Sequence, residues 1–440
     1  MPLTADLPSH VELIIARRTW DATLRQLLFR DSSFAVGTLR RQGDATSCEL
    51  LVDQLTVEET PNGQRLPPLA DWCAVIHDTS QTTAAQWIGK LSPRRSQVLA
   101  VLVVRAAAGQ PASCEGLVYD QGRIIRLDGV CIIGGGMLQL VSPSQSAHEP
   151  NPPAQLPSAM EGESRWSRTA GGLGSEVWHK VRRARVTIVG AGRNGALMAW
   201  ELAGLGVAQL RLIDGDQLAE PNLDAMIGLH SESVGSSKVE ALAKRLIEFR
   251  PDLAITALAK SALSPEAQEL LRRRSDLLIT CVDSDVPRVA MGRVARETIT
   301  AHLDVGTSVQ RRRGELEISG DARLLLPGQG CVACVGGVAN LDDVLYELAA
   351  PPGALRRAPP QTWTEQRAGS LVSINSVTVG CAVQMWLDLL AGRLDASYWQ
   401  RLAWRPGQGL QSDSAPVDAA ANCVFCRDSS QASDRDGARR

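Results

Sequence analysis

Residues 186–206 read VTIVGAGRNGALMAWELAGLG. Four β-favouring residues, Val186 to Val189, run into Gly190, Gly192 and Gly195, and an Ala- and Leu-rich stretch follows. This spacing is the glycine fingerprint of a nucleotide-binding strand–turn–helix. The glycines allow a tight turn and close approach of backbone to phosphate, and the helix N-terminus favours anions. Asp214 lies nineteen positions past Gly195, where an acid hydrogen-bonds a ribose hydroxyl. These residues alone fit NAD, FAD or ATP, with a redox Rossmann domain the commoner outcome. Further side chains favour ATP. Lys238 sits just inside the start of a helix, where its charge adds to the pull of the helix end on phosphate. Asp283 closes a later strand, where a carboxylate could hold Mg²⁺ on a triphosphate.

A second constellation is thiolate. Cys331 and Cys334 form CVAC, Cys423 and Cys426 form CVFC, and 88 residues separate the pairs. Two C-x-x-C pairs supply four sulfur ligands, a saturated tetrahedral site and therefore a structural zinc rather than a catalytic one. Redox chemistry or chance are the rival explanations of each pair.

The elements that must position these groups alternate in type. RVTIVG, QLRLID (209–214), DLAITALA, SDLLITCVD (275–283) and AHLDVGTSV read as strands. NGALMAWELAGLG, SSKVEALAKRLIEFRP and VPRVAMGRVARETI read as helices, the second stopped at Pro251. Such alternation predicts an α/β fold with a doubly wound, mainly parallel, Rossmann-like sheet, whose ligands lie at the carboxyl ends of the strands. Gly190, Asp214 and Asp283 each fall at such an end and are expected to converge on one crevice. Before this unit, residues 143–163 are rich in Pro, Ser and Ala without apolar periodicity, which reads as a linker. Residues 1–142 give one helix, ARRTWDATLRQLLFR, and then a series of strands, the pattern of an α+β domain. Residues 427–440 are polar and read as a disordered tail.

Composition bounds the rest. The formal net charge of -2 gives no electrostatic footprint for nucleic acid or an anionic membrane, and the Arg311–Arg313 run reads as a solvated edge. No apolar window is long enough to span a bilayer, and the N-terminus lacks the basic-then-apolar order of a secretory signal, so a cytoplasmic location is expected.

Together with SRWSR (164–168) ahead of the first strand, these residues resemble the ubiquitin-activating-enzyme superfamily, which includes the ThiF-like adenylyltransferases of the thiamine and molybdopterin pathways. The resemblance spans roughly Ser164 to Cys426. It implies that Gly190, Gly192 and Gly195 let the nucleotide phosphates approach, that Asp214 holds the ribose, and that Asn222 and Lys238 contact the triphosphate. It also implies that Asp283 binds Mg²⁺, and that Arg168 reaches into a partner subunit's site as an arginine finger, since the family works as dimers. The implied reaction is attack of a protein's C-terminal glycine carboxylate on the α-phosphate of ATP, giving an acyl-adenylate and pyrophosphate. Such a step needs charge stabilisation and in-line positioning rather than a strong base.

The chain departs from the family pattern in two places. Where the family carries an arginine after Asn-Leu, this sequence has Asp224 and then Ala225, whereas Arg193 stands at a normally small position of the glycine loop. Arg193 is expected to supply the missing charge from the other side of the triphosphate, with a surface role as the alternative. The loop between the zinc pairs, roughly 341–370, lacks the family's acceptor cysteine, whose place falls near Glu365. Cys381 and Cys281 read as core residues. The adenylate is then either the end product, or passes directly to a partner nucleophile, or forms an oxyester on a hydroxyl such as Thr364 or Ser370. The N-terminal unit resembles a degenerate JAB-type isopeptidase domain, with His77 followed by Asp78 and Thr79 in place of the second ligand histidine, and Phe34 near the place of the catalytic glutamate.

The resulting expectation is an ATP-dependent activator of a ubiquitin-like β-grasp protein in a bacterial conjugation pathway, homodimeric and serving a conjugating enzyme. The alternatives are adenylation of a peptide or sulfur carrier, a catalytically silent scaffold, and an NAD- or FAD-dependent oxidoreductase.

Overall fold

The computed structural model describes residues 7–8, 10–28, 34–43, 47–58, 71–77, 82–94, 96–105, 113–133, 136–138, 164–312, 315–339, 341–349, 371–405 and 407–427. They fall into two units, Met1–Glu163 and Ser164–Arg440. The 143–163 segment, the 427–440 tail beyond Arg427, and Asp78, Thr79, Thr364, Glu365 and Ser370 lie outside the described residues.

The first unit is a mixed sheet with two helices. Its elements are β1 (His10–Ala16), α1 (Arg17–Leu28), β2 (Phe34–Gly43), β3 (Ser47–Val52), β4 (Thr56–Glu58), β5 (Trp72–His77), α2 (Ala84–Leu91), β6 (Val98–Arg105), β7 (Ser113–Asp120), β8 (Arg123–Arg126), β9 (Gly129–Ile133) and β10 (Gly136–Leu138). The strand order is β10-β9-β1-β3-β2-β5-β6-β7-β8, with β4 on β2. Strands β5 and β6 pair in parallel and are apolar up to their last residues, His77 and Arg105, which marks strands covered on both faces. Alternate residues do serve two cores: Cys73 and Val75 pack with Leu102 and Val104 on one side, Trp72, Ala74 and Ile76 with Val101 and Val103 on the other. The sequence reading missed β1, because its apolar run VELIIA flows into the helix without a turn, and also missed α2.

The second unit opens with α3 (Ser167–Leu173) and α4 (Ser175–Arg183). It continues with β11 (Arg185–Val189), α5 (Arg193–Leu205), β12 (Gln209–Ile213), α6 (Lys238–Phe249), β13 (Ala254–Leu258), α7 (Pro265–Leu271), β14 (Leu277–Thr280), α8 (Asp285–Glu297) and β15 (Ala301–Arg312). Then come β16 (Glu315–Leu325), α9 (Leu341–Ala349), α10 (Val372–Leu390), β17 (Tyr398–Arg405) and β18 (Gly409–Pro416). The eight strands lie in the order β13-β12-β11-β14-β15-β16-β17-β18. The first five run parallel, as expected for a doubly wound fold, with the topological switch between β11 and β14. The last three continue the sheet antiparallel, an extension absent from the sequence reading. The predicted strands 209–214 and 275–283 prove shorter, so that Asp214 and Asp283 stand beyond the strand ends in loops.

Local chemistry sets the helix ends. Gly206 is left-handed at φ 105° and closes α5 through bonds from its N–H to Ala203 and from Val207 to Leu202. Helix α6 stops ahead of Arg250-Pro251, and the wholly buried Arg250 guanidinium turns back to the carbonyls of Ala203 (3.0 Å) and Val207 (2.8 Å), over the Trp166 ring. Its hydrogen bond to Asp252 holds that carboxyl well below the usual range, at about 2.

Candidate nucleotide site and thiolate cluster

Strands β12, β11 and β14 are neighbours, so the loops after them share one edge of the sheet, as the sequence predicted for Gly190, Asp214 and Asp283. Gly190 adopts φ +91°, and a Cβ there would lie 2.5 Å from the Cys281 carbonyl oxygen. A Cβ on Gly195 would lie 1.8 Å from the Gly190 carbonyl oxygen. Gly190 is therefore required by the close approach of the chain beyond β14, and Gly195 by the packing of α5 on the glycine loop. Gly192 differs: nothing approaches within 4 Å of its Cβ position, and its φ is an ordinary -72°. It is the N-cap of α5 and no side chain caps that end, which leaves first-turn N–H groups available to an anion.

Asp214 ties the crevice together. One carboxylate oxygen accepts the Ala191 N–H of the glycine loop at 2.7 Å, and the other accepts the Asp216 N–H at 2.8 Å. Burial pushes its carboxyl above the ordinary value, and the Asp216 N–H, the Lys238 ammonium and the Ala191 N–H oppose that rise. Lys238 is the first residue of α6 and reaches Asp216 at 2.8 Å. Beside it, the N-cap residue Ser237 makes no cap bond, and its hydroxyl is buried without a partner among the described residues.

Asn222 sits in the turn Glu220–Asn222 and accepts the Ala219 N–H through its side chain at 2.9 Å. Arg193, first residue of α5, reaches over to this turn: its guanidinium donates to the Pro221 carbonyl at 3.2 Å and pairs with Asp224 at 2.7 Å. Ala225, where the family pattern has arginine, is buried. Asn194 donates to the Thr307 hydroxyl at 3.2 Å, and Thr307 donates to Asn375 at 3.1 Å, joining the glycine loop to β15 and α10. Asp283 is exposed in the loop between β14 and α8. Arg168 is exposed in the first turn of α3 and makes no ion pair with the described residues, whereas Arg165 donates to the Phe249 carbonyl at 3.0 Å.

A network that the sequence reading missed braces the Asp283 loop. Asp304 on β15 is fully buried between Arg288 (3.0 Å) and Arg323 (2.9 Å). Arg288 also donates to the Val282 carbonyl at 2.9 Å, and Asp285 accepts the Ala339 N–H at 2.7 Å. The signal was present: AHLDVG carries an acid inside an apolar strand, and such an acid calls for a buried cation.

The four predicted cysteines converge. Cys331 and Cys334 sulfurs lie 3.8 Å apart, Cys331 and Cys423 3.6 Å, and Cys334 and Cys426 3.6 Å. A tetrahedron with Zn–S bonds of about 2.3 Å has edges of about 3.8 Å, so the spacing fits that ion. Outer contacts fit as well: Arg296 donates to the Cys426 sulfur at 3.1 Å and the Ala420 N–H to the Cys334 sulfur at 3.3 Å. The hydrogen bond from Cys331 and then the Arg296 guanidinium hold the Cys426 thiol well below its ordinary value. Among the described residues this is the one group of three or more metal-ligating side chains within bonding reach of a common ion. Burial pushes up the Cys281 and Cys381 thiols, although both residues are only partly buried and neither belongs to the fully buried core. In the first unit, the His77 ring ends β5 with its Nδ1 buried and unpartnered among the described residues, and Phe34 on β2 faces Ile76. No described helix is long and apolar enough to cross a membrane.

Known proteins resemble parts of this chain. An adenylyltransferase and sulfurtransferase, uba4 of Aspergillus niger, is 32% identical over 146 residues, 33% of this chain and 30% of that protein. Ubiquitin-like modifier-activating enzyme 5 of Arabidopsis thaliana is 27% identical over 173 residues, 36% of this chain and 38% of that protein. The aligned stretch thus spans about a third of each relative's length. Among solved structures, E. coli MccB with MccA-N7isoASN matches at 18% identity and a TM-score of 0.45, over 60% of this chain and 74% of that one. The model of the ThiF family covers residues 166–406, from the start of α3 through β17 and so more than half of the chain, and the protein belongs to that family.

Proposed function

We propose that the chain adenylates the C-terminal glycine of a ubiquitin-like β-grasp protein at the expense of ATP. The observation that carries this reading is the Asp214 carboxylate, which joins the glycine loop to the loop whose Asp216 pairs with Lys238, at the carboxyl ends of the parallel strands. In this reading the carboxylate holds the ribose, and its bond to Ala191 keeps the glycine loop in register for the phosphates. The α5 N-terminus, Lys238, Asn222 and Arg193 bind the triphosphate and hold the α-phosphorus in line with the incoming glycine carboxylate. The new bond joins a carboxylate oxygen to the α-phosphorus, and the bond to the bridging oxygen breaks, releasing pyrophosphate. Charge builds on the phosphate oxygens as this happens, and fixed cations stabilise it without reorganisation. Asp283 would hold Mg²⁺, which offsets part of the triphosphate charge. Arg168 acts on the site of a second copy in a homodimer. The structural zinc held by the four cysteines contributes folding energy rather than chemistry.

The relatives' names include both a sulfurtransferase and a modifier-activating enzyme, so a sulfur-carrier protein is the second substrate class considered. Beyond the adenylate, transfer proceeds to a conjugating enzyme or another nucleophile in a bacterial conjugation pathway, or through an oxyester on Thr364 or Ser370. Pyrophosphate exchange into ATP tests the reading. It is expected only when a β-grasp protein ending in glycine is added, and to fall sharply for Arg168→Ala and Arg193→Ala. ATP binding without exchange, with any such protein, favours the silent scaffold suggested by Ala225.

A further inference from the structure

Two cations of the candidate site, Arg193 and Lys238, share an arrangement. Arg193 is the first residue of α5 and Lys238 the first residue of α6. A helix N-terminus carries partial positive charge, so a cation at that position is disfavoured unless negative charge lies beside it. In each case the negative charge is an aspartate of the single loop between β12 and α6. Asp224 pairs with Arg193 at 2.7 Å, and Asp216 with Lys238 at 2.8 Å. The exposures are similarly lopsided: 23% for Arg193 against 63% for Asp224, and 12% for Lys238 against 73% for Asp216. The cations are held in the site while the carboxylates of the acids stand largely in water.

We propose that Asp216 and Asp224 are internal counter-ions of the triphosphate site, each occupying its cation until a nucleotide polyphosphate displaces it. This rests on the adenylation reading and adds two positioning residues to it. Exposed ion pairs of this kind contribute little free energy, so a ligand carrying several negative charges can exchange for them readily. The exchange turns the two carboxylates out to water, while the loop backbone stays tied through the Asp216 N–H to Asp214 and the Pro221 carbonyl to Arg193. Selectivity follows as well, because a nucleotide with one phosphate cannot displace both acids.

The test is calorimetric binding of ATP, ADP and AMP at fixed ionic strength to the full chain and to Asp216→Asn and Asp224→Asn. Each substitution is made also in the matching Lys238→Gln or Arg193→Ala background. Each Asn variant is expected to bind ATP about two- to fivefold more tightly, ADP less so and AMP unchanged, the last also reporting an intact fold. In the background lacking the paired cation, the gain should vanish. Unchanged or weaker ATP binding overturns the proposal. So does an equal gain for AMP, or a gain that survives removal of the cation. A full chain that binds none of the three nucleotides overturns the adenylation reading and this one with it. ATP binding without a gain in the variants overturns only the counter-ions.

Discussion

Two glycines three positions apart offer a test that separates folding from binding. In Gly195→Ala the new Cβ would begin 1.8 Å from the Gly190 carbonyl oxygen, so α5 and the glycine loop must part by about 1.6 Å to restore ordinary contact near 3.4 Å. Overpacking of this size costs about 3 kcal/mol, and the higher helix propensity of alanine returns about 1. The net loss of about 2 kcal/mol lowers the melting temperature of the second unit by about 4–8 °C. The same shift pulls the Ala191 N–H off Asp214, now 2.7 Å away, so ATP binding falls too. In Gly192→Ala the Cβ meets nothing within 4 Å, and the cost is confined to the weaker cap, below about 1 kcal/mol. This methyl group would instead stand where phosphate approaches the loop. Thermal melts followed by circular dichroism, with calorimetric titration of ATP, read both effects. Gly192→Ala is expected to melt within a few degrees of the parent and to lose ATP affinity at least tenfold. If Gly192→Ala bound ATP normally, or Gly195→Ala melted at the parental temperature, the assignment of these glycines would be refuted.

Elemental analysis of the purified chain should return one zinc per chain. Cys423→Ser should lose it together with several kcal/mol of stability, and a count of two would reveal a second site. His302 is buried against the Thr280 hydroxyl, and burial depresses its pKa to about 4. The unfolded chain therefore binds the extra proton first, and stability declines as pH falls from about 6.5 to 4, by about 3 kcal/mol. Denaturant melts of His302→Gln should lack this share of the acid sensitivity, and an identical pH slope in parent and variant would exclude it. Arg250→Ala should cost about 2–4 kcal/mol in urea unfolding, because it strips partners from the carbonyls of Ala203 and Val207 and from Asp252. A loss below 1 kcal/mol would mean that water replaces the guanidinium.

The parallel half of the second unit was legible because each strand is an apolar run ending in turn chemistry, and each helix has a clear stop such as Gly206 or Pro251. The antiparallel half was not. β18 reads GLQSDSAP and is largely exposed, so it carries no alternation for a reader to find, and the two short helices before β11 are broken by Gly171, Gly172 and Gly174. In the site, the glycines, Asp214, Lys238 and the cysteines could be named because residue type and spacing fix their chemistry. Arg193 could be flagged only as an oddity. Its partner Asp224 is 31 positions away and carries no signal in the sequence, since counter-ions are chosen by the path of a loop and leave no periodic trace. The Asp304 cluster likewise depends on two arginines brought in from different elements.

The cysteine pairs also give the second unit an unusual connectivity. With metal bound, the 88 residues between Cys334 and Cys423 become a closed ring whose clasp is four sulfurs. α9, α10, β17 and β18 all hang within that ring, as does the 351–370 stretch that links α9 to α10. A protease cut between α9 and α10 would therefore leave two fragments that stay together, joined by the β16–β17 ladder on one side and by the clasp on the other. Adding a chelator to such a nicked molecule opens the clasp and leaves the ladder and the packing of α10, with its Asn375–Thr307 bond, to hold the pieces.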